Sequence, residues 1–201
     1  MAAHIVKTTS GRVIEDPPVA RFLFSDTRLA AIWTVIRVLI GYSWLSAGWG
    51  KLNEAAWMVD GSALKGYWTG AVAIPATGHP AITFDWYRSF IQGMLDSGSY
   101  VWFAKLVTFG EVLVGIALIT GAFVGIAAVF GALMNWSYIM AGSTSSNPLL
   151  LIGAIVLLLA WKTSGYYGLD FFLLPRLGTP WSRRKADQKI EEPVPAHAVG
   201  D

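Results

Sequence analysis

The sequence predicts an all-α integral membrane protein: a four-helix bundle with a long extracytoplasmic loop that contains an amphipathic helix. Three observations predict it. The chain is 54% hydrophobic and only 14% charged, whereas soluble domains carry about a quarter charged residues. Four long apolar runs lie between two polar ends. Aromatic residues make up 13% of the chain, including 10 Trp, a residue enriched where membranes meet water.

Residues 1–29 form a polar N-terminal tail with no apolar core of the kind a secretory signal needs. The first span, 30–50, holds one charge, Arg37, and at 1.5 Å per residue covers about 31 Å. Residues 51–99 form the outer loop. Within it, 83–95 places Phe84, Tyr87, Phe90, Ile91, Met94 and Leu95 at helical spacing, which predicts an amphipathic surface helix. A second short element is expected at 64–68. The second span, 100–120, carries Lys105 near one end and Glu111 in its middle. The third, 122–141, has no charge. The fourth starts at 148 and needs tilt, or continuation to 165 with Lys162 snorkelling, to cross. An aromatic stretch, 166–174, reads as a short interfacial helix, and 176–201 as a solvated, disordered tail. The membrane domain is thus 30–175.

Lys and Arg near the span ends set orientation. Four precede the first span and six follow the fourth, counted from Lys162. The expectation is a multi-pass plasma-membrane protein with both termini cytoplasmic. The lipid bilayer is its first partner. A net charge of +2 argues against a nucleic-acid partner. Cysteine is absent, so no disulfide, no Cys-ligated metal and no iron–sulfur cluster is expected. The three histidines lie in the tails and the loop, so no haem held by two of them inside the bundle is expected either.

Charges inside a span are costly, about 2.5–3.5 kcal/mol at mid-helix. Arg37 and Glu111 each lie about 12–14 Å from the inner end of their span, so they are expected to pair. Two roles stay open: a buried ion pair that fixes helix register, or proton handling and binding of an anion or a quinone carbonyl. Asn135, Ser137 and Tyr138 on the third span, with Tyr42, Ser43 and Ser46 on the first, fall in the outer halves. They outline an outward-opening polar pocket, or else ordinary interhelical hydrogen bonds. Trp44 and Trp136 sit deep enough to line a pocket for a ring, or simply to pack. Lys51 ends the first span, where lysine commonly snorkels. Gly121 and Gly125 form a GxxxG, a sign of close helix packing within one chain or between copies in a homo-oligomer.

Three short motifs occur in order: Gly48-x-x-Lys51-Leu52, Glu111-x-x-x-Gly115 followed by Gly121, and Gly165-Tyr166-Tyr167-Gly168-Leu169-Asp170. With them the chain resembles the DoxX/DoxD-like family of four-helix membrane proteins over residues 30–175. Its long outer loop is more similar to the DoxD type, the membrane subunit of thiosulfate:quinone oxidoreductases. The resemblance implies a quinone-linked oxidoreductase subunit that accepts electrons from thiosulfate or another small reduced donor, directly or through a second redox subunit. Glu111 and Arg37 are then the candidate catalytic residues, and Lys51, Asn135, Trp44 and Ser46 the candidates for binding substrate or quinone. The other reading is a non-catalytic membrane anchor or assembly partner of a redox complex.

Overall fold

A computed structural model describes residues 16–177, together with a two-residue hairpin pairing Val6–Lys7 with Val13–Ile14. Apart from that hairpin the described chain is all-helical: α1 Pro18–Ser25, α2 Ala30–Leu52, α3 Ala55–Met58, α4 Ser62–Val72, α5 Asp85–Asp96, α6 Tyr100–Thr120, α7 Val124–Met140, α8 Asn147–Leu159, α9 Trp161–Ser164 and α10 Asp170–Leu173. Two helices, Thr27–Leu52 and Tyr100–Thr120, are long and apolar enough to cross a membrane. The helices α7 and α8 are apolar but shorter, at 17 and 13 residues, or roughly 26 and 20 Å.

The closest packing is between α2 and α6, and glycine makes it possible. A Cβ on Gly115 would lie 2.5 Å from the Leu45 backbone nitrogen, and one on Gly48 would lie 2.9 Å from the backbone nitrogen of Val112. Gly41 lies against Leu118 in the same way. These contacts fix the antiparallel register, setting Gly48 level with Glu111 and Gly41 level with Leu118. Helix α7 joins α6 to α8, and α8 returns to α2. Trp33, Ile40, Trp44, Val114, Leu118, Val124, Ala127, Ala128 and Leu157 form the shared core.

That register overturns the expected Arg37–Glu111 pair. Arg37 lies level with the turn after α6, about eleven residues or 16 Å from Glu111 along the helix. The expectation had counted depth from helix ends taken as level. In the fold α2 overshoots the end of α6, and α6 overshoots the end of α2.

Other expectations also shift. The α6–α7 turn separates Gly121 from Gly125, so they share no helix face. Gly121 has φ of 72° and ends α6, in the left-handed conformation that favours glycine. The fourth apolar run is not continuous to 165. It breaks at Ala160, where the Thr163 hydroxyl donates to both Ala160 O and Phe24 O. Residues 166–169 are non-helical, and the expected interfacial helix shortens to Asp170–Leu173, continued by a 3-10 turn from Leu174. The N-terminal region taken as a polar tail contains α1, whose Phe24 ring lies 5.8 Å from Trp33. Helix α5 matches the amphipathic helix expected at 83–95, and α4 extends the short element expected at 64–68. Beyond Leu177 the expected disordered tail lies outside the described residues.

Helices α3, α4 and α5 fold over the end of the bundle near Lys51, called here the loop end. They have a core of their own, in which Leu64, Trp68, Ala71, Ile82, Tyr87 and Ile91 pack on Ala104 and Ala141.

Candidate functional site

The first two motifs are the two halves of one interface. Gly48 brings α6 against α2, and Lys51, three residues on, lies on the same helix face. Its Nζ sits 2.5 Å from each carboxylate oxygen of Glu111. Gly115, four residues after Glu111, admits the Leu45 backbone one turn below. The Tyr138 hydroxyl of α7 donates to Glu111 Oε1 at 2.9 Å. The ion pair is asymmetric in its surroundings: the Glu111 side chain is 2% exposed and that of Lys51 21%. The ammonium also sits 5.0 Å from the centre of the Trp57 ring, a favourable cation–π distance.

These three polar groups lie in the wall of a cavity of about 680 Å³ between the bundle and the lid formed by α3–α5. Aromatic rings dominate its lining: Trp44 and Tyr138 from the bundle, Trp57, Trp68 and Tyr87 from the lid. Trp44 and Tyr138 have ring centres 6.4 Å apart, and Trp44 Nε1 is buried without a hydrogen-bond partner. The site therefore presents flat apolar walls with an ammonium, a carboxylate and a hydroxyl clustered at one place. It suits a planar ring with polar substituents.

Of the six candidate catalytic and binding residues, Glu111, Lys51 and Trp44 meet at this cavity and the other three do not, while Ser43, Ser137, Tyr138 and Trp136, expected to outline an outer pocket, also line it. Ser46 is exposed and away from it. Asn135 is fully buried on the core stripe of α7, with both amide atoms unpartnered, and is not in the cavity wall. Arg37 belongs to a separate cluster. Its guanidinium donates to Leu118 O at 2.5 Å, and to Ile119 O and Tyr167 O, each at 3.3 Å. Asp170 completes that cluster by accepting from the backbone N–H groups of Phe123 and Val124, at 2.5 and 2.9 Å. It thereby caps the start of α7. Gly168 rests on Gly121, where either Cβ would collide. The third motif is thus a structural clasp that joins the end of α6, the start of α7 and the segment after α9.

Sequence reasoning missed the Lys51–Glu111 contact and the lid aromatics. The signal for the contact was present in the spacing of Gly41 and Gly48 against Gly115, because small residues mark where two backbones meet. No family model matches the chain, and no curated protein or solved structure matches it.

The lid is fastened to the C-terminal end of α7. Tyr67 donates its hydroxyl to Ala141 O and Tyr87 to Ser137 O, both at 3.0 Å. Burial pushes both phenols above their ordinary value, so they remain donors throughout the neutral range. Their contribution is whole below the unfolded tyrosine value of about 10 and is lost as pH climbs past it. Acrylamide quenching of tryptophan is expected to rise in that alkaline window as the lid lifts. Tyr67→Phe/Tyr87→Phe should remove the pH dependence and weaken lid closure by about 1 kcal/mol per bond. An unchanged alkaline profile in that double variant counts against the latch.

Proposed function

We propose that this chain is the quinone-binding subunit of a membrane oxidoreductase of DoxX/DoxD type. In this reading α2, α6, α7 and α8 form a four-helix bundle across the plasma membrane. Both termini are cytoplasmic, in keeping with the basic residues at the tails, and the lid lies outside. The observation that carries the proposal is the cavity whose aromatic walls meet Lys51, Glu111 and Tyr138.

The donor set fits a quinone. The aromatic side chains cover the faces of the ring. The Lys51 ammonium, partly open and carrying three N–H groups, is the hydrogen-bond donor for its oxygens, while the Tyr138 hydroxyl proton is committed to Glu111. A quinone bound there supplies a two-electron, two-proton acceptor. Glu111 holds Lys51 and Tyr138 in position and accepts or returns a proton within their network. Two thiosulfate ions joining as tetrathionate release the matching two electrons.

An anionic donor calls for free cations, yet among the described residues three of the four cations near the loop end are engaged, Lys105 in the first turns of α6 being the fourth. Lys51 pairs with Glu111, Lys65 lies 5.2 Å from the centre of the Tyr100 ring, and Arg88 binds Asp85 and Ile82 O. This supports delivery of electrons by a second redox subunit. The anchor reading draws on the exposed Val59, Ile74 and Phe84 of the loop region, which offer a docking surface.

Purification in mild detergent followed by lipid extraction tests the proposal. Expected is co-purified quinone at near one per chain, lost in Trp44→Ala, and quinone reduction when a reduced donor and its partner subunit are supplied. Absence of quinone from stable, folded protein rejects the proposal and favours the anchor.

A further inference from the structure

We infer that the ligand enters the cavity sideways, from the lipid, through a groove between α5 and the outward face of α7, and that the prenyl tail of the quinone stays in that groove. The inference rests on the quinone reading and adds the route and the tail site.

The walls of the cavity differ in exposure. On the side of α2, α4 and α6, Trp44, Leu64, Trp68 and Val107 are buried. On the other side, four large apolar residues line the cavity and are open to the outside: Trp86 at 60%, Phe90 at 52%, Leu133 at 53% and Trp136 at 43%. Helical geometry explains the last two. The core stripe of α7 runs through Val124, Ala127, Ala128, Gly131 and Asn135. At 100° per residue, Leu133 and Trp136 point away from it. Helix α5 crosses there, with the Tyr87 ring 6.3 Å from Trp136. These four rim residues carry no charge and no hydrogen-bonding group apart from indole N–H, and the Tyr87 hydroxyl between the two helices is engaged by Ser137 O. In water such a patch is unfavourable, and beside lipid it is ordinary. The second mouth, at the loop end, is lined by Ser143, Ser145, Ser146 and Asn147. It is polar and suits water and small solutes.

Size makes the groove necessary. A cavity of about 680 Å³ belongs to the class that encloses a drug-sized ligand, roughly 300–1,000 Å³. It holds a ring and the first part of a tail, and a long prenyl chain must leave it. The apolar side opening is the exit whose chemistry matches hydrocarbon.

The absence of cysteine allows a direct test. Leu133→Cys introduces a single thiol on the rim, and Ile126→Cys introduces one on α7 that is exposed but away from the cavity. Each protein is placed in vesicles, labelled with a bulky maleimide, and followed for exchange of its bound quinone against a long-chain quinone and one bearing a single prenyl unit. Expected is a slowing of long-chain exchange by about tenfold for labelled Leu133→Cys, seen as a longer residence time. Labelled Ile126→Cys should exchange like the unmodified chain, labelled Leu133→Cys is compared with its own unlabelled form, and the short quinone should be less affected. Phe90→Cys provides a second rim site should Leu133→Cys fold poorly. Long-chain exchange unaffected by either rim label, with quinone still bound, overturns the route and leaves the quinone reading standing. No bound quinone in the unmodified chain removes both.

Discussion

Lys51→Met will lower the melting temperature of the purified protein far more than Glu111→Gln. The reason is the asymmetry of the pair. Glu111 is enclosed, with Lys51 and Tyr138 as its partners, while Lys51 reaches partly into solvent. Removing the ammonium strands a buried carboxylate, at a cost of about 3–5 kcal/mol. Replacing Glu111 by glutamine keeps an acceptor for the Tyr138 hydroxyl and lets Lys51 turn outward, at about 1 kcal/mol. The double variant Lys51→Met/Glu111→Leu should recover most of the loss, because two apolar groups leave no charge behind. On the quinone proposal, turnover should follow a different order: Glu111→Gln keeps its fold and its bound quinone and loses quinone reduction. Melting curves in one detergent, read beside quinone content and turnover, separate these effects. A double variant as unstable as Lys51→Met would show that the pair is not what stabilises the contact. Full turnover in Glu111→Gln would make the pair structural and strengthen the anchor reading.

Arg37→Met will destabilise the fold by about 3 kcal/mol and, on the quinone proposal, leave quinone bound per folded chain unchanged. Three carbonyls, two at the end of α6 and one at Tyr167, lose their donor. Asp170 loses the attraction of the Arg37 charge. Arg37→Lys should rescue little, since one ammonium cannot reproduce a planar fork that serves two chain segments. The cavity lies about 16 Å away by helix rise, so its ligand should not register the change. A loss of turnover in Arg37→Lys without a shift in melting would return Arg37 to the chemistry.

The two arginine and glutamate predictions also mark where sequence reading stops. Hydropathy finds a helix because each residue reports its own preference for lipid, so α2 and α6 were legible almost to the residue. The same is true of α5, whose apolar spacing is local. The offset between two helices is not local. It is set by where Gly48 and Gly115 let backbones touch, and an error there separated Arg37 from Glu111 and hid Lys51 from it. Lys51 and Arg37 were both singled out as charges needing an explanation, and that much was correct. Their partners required the register. The lid was harder still, because Trp57, Tyr67 and Trp68 gain their meaning from the hydrogen bonds and ring contacts they make across long loops. The break at Ala160 was invisible because the tie is to Phe24, 139 positions away from Thr163.

The capping of α7 by Asp170 has a consequence in time. The N–H of Val124 waits for a carboxylate 46 positions later in the chain. At a synthesis rate of about 5–20 residues per second, the wait is roughly 2–9 s. Throughout that interval the α6–α7 hairpin exists without its cap, and the carbonyls of Thr120 and Gly121 lack the donors that Leu169 and Asp170 later bring. The hairpin is therefore an open form during synthesis. A chain released before Asp170 never leaves that form, so the fold separates chains that carry the closing segment from those that lack it.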